Sequence, residues 1–212
     1  MAATVLMLAF RALLRAAGVL SVPFKGVSWV VGLDEFLDPP VIPRRHSGAL
    51  LLVPARKTKQ HQPSWVPINN KRATRLLAKH IRWRRRHARK NRFLFPSHKV
   101  RFRGLERAWI PNPRNRMSTK SLLGLMRSAL VEVCGLSVTQ AAKFTMHSLR
   151  VGGINYLRQA GVEIGMRARA ATHKSVITTR IYNRMIPIEG SGKNMHVLMQ
   201  NVFFFIFRPD VP

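Results

Sequence analysis

Apolar positions recur along the chain with two periods. Leu6, Phe10, Leu13, Leu14 and Ala17 fall three or four residues apart, which predicts a first helix with one buried stripe between Met1 and Val22. Pro23, Gly26, Gly32, Pro39, Pro40 and Pro43 then break the chain into turns around one short strand near Val27–Val31. Two apolar runs follow, Ala49–Pro54 and Trp65–Ile68. They flank a polar stretch from Arg56 to Gln62, the pattern of a β-hairpin with an exposed basic tip. From Asn69 to Arg92 the helical period returns. Asn69 or Asn70 is the expected N-cap, with Ala73, Leu76, Leu77, His80 and Ala88 on the inner side and Trp83 packing rather than stacking on a ligand.

Residues 97–116 are rich in Arg and interrupted by Gly104, Pro111 and Pro113, and read as a loop or insertion. Ser118 or Thr119 opens another helix, through Leu122, Leu125, Met126, Ala129, Leu130 and Val133, which Gly135 closes. A further helix spans His147 to Ala160 and ends at Gly161. Gly152 and Gly153 lie inside it, and because glycine disfavours a helix interior, their presence implies close packing there. Residues 190–212 read as a tail whose apolar string, Val202–Phe207, is a strand or a misread terminus; no internal repeat is present. The fold class expected is α+β, mainly α-helical, with a small antiparallel β-sheet.

Charge changes this picture from generic to specific. In 212 residues there are 37 Lys and Arg against 8 Asp and Glu, a formal net charge of +29, with 46% hydrophobic residues. Hydrophobic content at that level supports a packed core, so this is a folded basic protein rather than a disordered basic tail. Self-repulsion on that scale calls for a polyanion, and nucleic acid is the commonest. Lys79, Arg82, Arg84, Arg85, Arg86 and Arg89 on the third predicted helix are the candidate phosphate contacts, with Lys59 and Lys174.

Composition also removes chemistries. Cys134 is the only cysteine, which excludes an intrachain disulfide and a CxxC zinc site. The eight carboxylates are scattered with no DxD pair of the kind two-metal phosphoryl transfer uses, and no GxxxxGK[ST] is present. No metal and no cofactor is expected. Arg11 and Arg15 interrupt the first apolar run too early for a membrane span. A transit-peptide reading of that run, with mitochondrial targeting, is the minor alternative to a core helix.

The chemistry is carried by three short motifs: HisSerLeuArg at 147–150, ThrHisLysSer at 172–175 and ThrThrArgIleTyr at 178–182. In these motifs and their spacing the chain resembles the tyrosine recombinase (phage integrase) family, whose catalytic domain carries HxLR, then a His or Trp, then a nucleophilic Tyr. HisSerLeuArgValGlyGly followed by GlnAlaGlyVal looks most like the eukaryotic and viral mobile-element branch. Upstream, the family's first Arg matches Arg15 in AlaLeuLeuArgAlaAlaGlyValLeu, although Gly18 stands where the family has an acid. Its catalytic Lys, at a hairpin tip in a pattern like KTxQ, matches Lys57, Thr58 and Gln60, with Lys59 a close competitor. Ala171 and Thr172 replace the pair usual before the His or Trp.

The resemblance implies a catalytic domain over residues 1–189, with the N-terminal core-binding domain absent from this chain, because the pattern begins within 15 residues of Met1. It implies metal-free DNA breakage and rejoining, with catalytic residues Tyr182, Arg150, His147, His173, Arg15 and Lys57. Arg15, Arg150 and His173 would donate to the non-bridging phosphate oxygens, where transition-state charge develops. Tyr182, with an ordinary pKa of about 10, would attack as His147 takes its proton, and Lys57 would protonate the departing 5′ oxygen. The implied partners are double-stranded DNA and further recombinase subunits, without a membrane, and the expected location is the nucleus or nucleoid. The competing reading is a non-catalytic basic nucleic-acid-binding protein, either a degenerate recombinase fragment or a ribosomal-type module.

Overall fold

The computed structural model describes residues 1–31, 36–37, 48–54, 63–103, 106–171, 173 and 175–181. It is mainly helical with two small antiparallel sheets. The chain packs as two compact units. One comprises Met1, Ala3–Val5 and Ala17–Thr119; the other comprises Ala2, Leu6–Ala16 and the chain from Lys120 onward. Among the described residues no helix is long and apolar enough to cross a membrane.

The first apolar run forms two helices rather than one, α1 (Ala2–Arg11) and α2 (Ala16–Ser21). Leu13 between them adopts a left-handed backbone, φ 52°, which L-residues disfavour by roughly 1–2 kcal/mol. Periodicity could not foresee the break, since Leu13 is buried as a helical stripe would bury it.

In the first unit, β1 (Val27–Val30) and β2 (Phe36–Leu37) pair with β3 (Gly48–Val53) and β4 (Ser64–Ile68) in the order β2-β1-β3-β4, all antiparallel. β3 and β4 are the arms of the expected hairpin, in a register that sets Leu51 opposite Val66. The basic tip lies outside the described residues, and Lys57 and Lys59 with it. Pro67 is accommodated because β4 is an edge strand of the described sheet, where a missing N–H costs no ladder bond.

Helix α3 (Lys71–His87) begins where the sequence predicts, with the Asn70 side chain accepting the Ala73 N–H at 3.0 Å. Ala73, Leu77, Ala78 and Ile81 are buried together with His80 and Arg84. Burial of Arg84 corrects the sequence reading. It is 1% exposed, its Nε–H donates to Phe93 O at 2.9 Å, and its guanidinium carbon lies 3.9 Å from the centre of the Phe24 ring. A helix with this much charge must turn some of it inward, and here an aromatic face and a carbonyl receive it. Lys79, Arg82, Arg85, Arg86 and Arg89 are exposed.

Residues expected as a loop form a second hairpin, β5 (Pro96–Arg103) and β6 (Glu106–Arg116), with Val100 opposite Trp109 and a register shift between Pro96 and His98. The prolines that argued for a loop sit in a two-stranded sheet, where each strand has an open edge. Asn91, 3% exposed, holds the hairpin's base by donating through Nδ2 to Asn112 O at 2.6 Å and Asn115 O at 3.0 Å.

The second unit contains α4 (Thr119–Cys134), α5 (Val138–Ala142), α6 (Met146–Gln159), α7 (Ile164–Ala170) and α8 (Val176–Ile181). Leu122, Met126 and Leu130 form the buried stripe of α4, whereas Leu125, expected inside, is exposed. Gly135, at φ 67°, ends α4 as expected. Gly161, at φ 74°, ends α6: its N–H bonds Arg158 O and that of Val162 bonds Leu157 O, a paired termination that needs the left-handed residue.

His80 supplies a pH-dependent stability. Its Nε2–H donates to Leu94 O at 2.8 Å, its ring stacks on Phe95 at 4.7 Å, and burial pushes its pKa from the ordinary 6.5 down to about 3. The folded protein therefore holds His80 neutral while the unfolded chain protonates it below pH 6.5, so this contribution is present above pH 6.5 and is lost as pH falls toward 3. Urea unfolding of the wild type is expected to lose roughly 3 kcal/mol to this group between pH 6.5 and pH 4. His80→Gln, whose amide N–H also reaches a carbonyl but does not titrate, should flatten that dependence. An unchanged pH slope in the variant would refute the assignment.

Candidate active site

Helix α6 presents the HisSerLeuArg motif in its first turn. Thr145 caps it, and Ser148 Oγ accepts the Thr145 N–H at 3.1 Å. Arg127 of α4 holds the segment before this turn, donating through Nε at 3.1 Å and Nη2 at 2.9 Å to Phe144 O and through Nη2 at 2.6 Å to Ala142 O. Sequence reasoning missed Arg127. Its only signal is a lone Arg in an otherwise apolar and small-residue helix face.

Arg150 points inward and is 5% exposed. Its Nη1 donates to Leu13 O at 2.7 Å and its Nη2 to Ala171 O. The unusual backbone at Leu13 thus has a local reason: the chain leaves the helix there and offers a carbonyl to a buried guanidinium. Leu13, Ile154 and Ala171 close over this point as an apolar cluster, with Leu157 against it. A guanidinium has five N–H groups, all of them donors.

The structure brings Arg15, His147, Arg150 and His173 together in the second unit. Arg15 and His147 are exposed and His173 is half-buried. Desolvation first, then the positive charges of Arg150 and Arg15, push His147 below its ordinary 6.5. The same causes in the same order, with His147 added, hold His173 down at about 4. Both rings are therefore neutral at pH 7. Neutral His147 is able to accept a proton, and a neutral His173 ring carries one N–H donor. His173 is fixed twice: its backbone N–H donates to Ala168 O at 2.9 Å, and its Nδ1 lies 2.8 Å from the Thr179 hydroxyl. Thr179 was not singled out in the sequence, although it stands three residues before Tyr182.

Tyr182, Lys174 and the 190–212 tail lie outside the described residues. Among the described residues no group of three or more His, Cys, Asp or Glu is placed to hold a metal ion.

The approach of α6 to the Leu13 segment depends on Gly153. A Cβ there would lie 2.4 Å from Leu13 Cδ2 and 2.5 Å from Phe10 O, the second a backbone atom that cannot move aside. Gly153 thus serves the close packing expected at this point of the helix. Gly153→Ala should destabilise the protein by about 1–3 kcal/mol through overpacking. That sign opposes the gain of roughly 1 kcal/mol that alanine brings to an ordinary helix interior. Thermal unfolding decides between them: a raised midpoint would mean the approach is not tight.

The phage integrase family model matches residues 2–187. Among solved structures, that of the XerH site-specific recombinase bound to palindromic difH substrate, a post-cleavage complex, is similar in fold. Its TM-score is 0.57 at 17% sequence identity, over 87% of this chain and 41% of that one. This chain therefore spans less than half the length of that recombinase. No curated protein sequence matches it.

Proposed function

This chain belongs to the phage integrase family, and from that premise we propose that it breaks and rejoins DNA strands through a 3′-phosphotyrosyl intermediate on Tyr182. The observation that carries the reading is the convergence of Arg15, His147, Arg150 and His173 on one site, where among the described residues only burial and basic neighbours shift the two histidines. Such a site favours an anion. Arg15, Arg150 and His173 donate to the non-bridging oxygens of the scissile phosphate.

The Tyr182 oxygen attacks phosphorus as its proton passes to His147. The bond from phosphorus to the 5′ oxygen breaks, and Lys57 supplies the proton that lets it leave as a hydroxyl. Attack by a 5′ hydroxyl on the phosphotyrosine reverses the sequence and frees Tyr182. Phosphodiester energy is conserved throughout, so no nucleotide is consumed. Lys79, Arg82, Arg85, Arg86 and Arg89, on the exposed side of α3, with Lys59 and Lys174, neutralise phosphates of the flanking duplex, and further recombinase subunits pair the two sites.

A pool of nicked duplexes randomised around the nick should trap a covalent adduct in EDTA, and Tyr182→Phe should abolish it. An adduct that requires Mg²⁺, or survives in the phenylalanine variant, would overturn the mechanism; wild-type protein that binds the pool but never forms an adduct would favour a non-catalytic binding protein. For duplex binding, log affinity should fall with log salt by about 0.9 per neutralised phosphate. Replacing Arg85 and Arg86 together with alanine should reduce that slope by roughly one for each phosphate left without its cation. Arg84→Ala should instead lower the unfolding midpoint and leave the slope unchanged, because Arg84 is buried.

A further inference from the structure

We propose that Thr179 is a positioning residue that sets the tautomer of His173, donating its hydroxyl hydrogen to Nδ1 so that the ring's own hydrogen sits on Nε2. The inference rests on the proposed function for its consequence, since it decides which face of His173 can donate to a phosphate, but the tautomer itself is independent of any DNA chemistry.

The direction of the bond follows from the surroundings of the hydroxyl. Thr179 is fully buried in α8, with 0% of its surface exposed, and Nδ1 of His173 lies 2.8 Å from its Oγ1. Among the described residues this is the one hydrogen-bond partner of that hydroxyl. By contrast, Thr74, a buried helical threonine in α3, bonds the carbonyls of Asn70 and Lys71 on its own helix. If Nδ1 carried the hydrogen and donated to Oγ1, the Thr179 hydrogen would be left buried without an acceptor, whereas with Oγ1 donating the ring hydrogen moves to Nε2, itself buried but on the side of the ring away from Thr179. With Oγ1 donating, the hydroxyl hydrogen is satisfied and Nδ1 is the accepting nitrogen. A neutral imidazole has only one hydrogen, so it must then be on Nε2.

The ring is also held against rotation. His173 is fixed through its backbone N–H on Ala168 O, at the end of α7, while Nδ1 is tied to α8. Flipping the ring to present the other nitrogen would break the Thr179 bond. A bare Nε2 would be an acceptor, and an acceptor facing a phosphate oxygen repels it. The Thr179 hydroxyl thus converts a residue of either polarity into a fixed donor.

The test is the ¹⁵N spectrum of the full chain labelled at histidine and recorded at pH 7.5, with His173 identified by its loss in His173→Gln. The wild type should show His173 protonated at Nε2. Thr179→Val, which keeps the shape and removes the hydroxyl, should move it to a mixture or to the Nδ1 form, and Thr179→Ser should restore Nε2. A wild-type ring protonated at Nδ1, or a tautomer indifferent to Thr179→Val, would overturn the proposal. A second arm uses the randomised nicked duplexes: adduct formation should slow by roughly ten- to hundredfold in Thr179→Val and return in Thr179→Ser. A changed tautomer with an unchanged cleavage rate would overturn the positioning role. Absence of any wild-type adduct would count against the Tyr182 mechanism while the spectra still decide the tautomer.

Discussion

A buried guanidinium requires partners, and much of the second unit is arranged to give them to Arg150. An isolated charge in an apolar interior is so costly that it must be hydrogen-bonded or neutralised. Backbone carbonyls meet that need here, Leu13 O from the break between α1 and α2 and Ala171 O from the end of α7. The left-handed turn at Leu13, the glycine at 153 that allows α6 to approach Phe10 and Leu13, and the apolar cluster of Leu13, Ile154 and Ala171 each serve that arrangement. Carbonyls carry no net charge, so they solvate the guanidinium without cancelling it. The site remains electropositive.

That residual field has a second effect. Arg150 and Arg15 bear on His147 and His173, and with desolvation they hold both rings neutral at physiological pH. One set of cations therefore makes the site electropositive and keeps the neighbouring imidazoles in the forms that accept or donate a single hydrogen. An acid in the site would weaken the first effect and reverse the second. The excess of basic over acidic residues in the whole chain, 37 against 8, is consistent with this local requirement.

In the first unit the same physics appears without the chemistry. Arg84 and His80 are turned into the core from the most basic helix in the chain, one onto Phe24 and the Phe93 carbonyl, the other onto Phe95 and the Leu94 carbonyl. Burial lowers both, Arg84 to about 10, so that it stays charged, and His80 to about 3, so that it does not. The other cations of α3, Lys79, Arg82, Arg85 and Arg86 among them, stay exposed.

Much of this was legible in the chain itself. Period and capping residues located α3, α4 and α6, and the β3–β4 hairpin, because local hydrogen bonds and side-chain spacing act over a few residues and leave their mark in the sequence. HisSerLeuArg and the following His were legible as a motif, and the fold brings His147, Arg150 and His173 together with Arg15. Other features depended on partners far along the chain. Leu13 breaks a helix that its neighbours would continue, Arg84 goes inward although it lies among identical charges, and residues 97–116 form strands despite their prolines. Thr179 matters because folding returns it to Nδ1 of His173. Composition and spacing thus pointed to the family and to the residues that the fold brings together around Arg150. Which carbonyl meets which guanidinium, and which hydroxyl meets which ring, was decided only by tertiary packing, since the cost of an unpaired buried polar group exists only once the water has been removed.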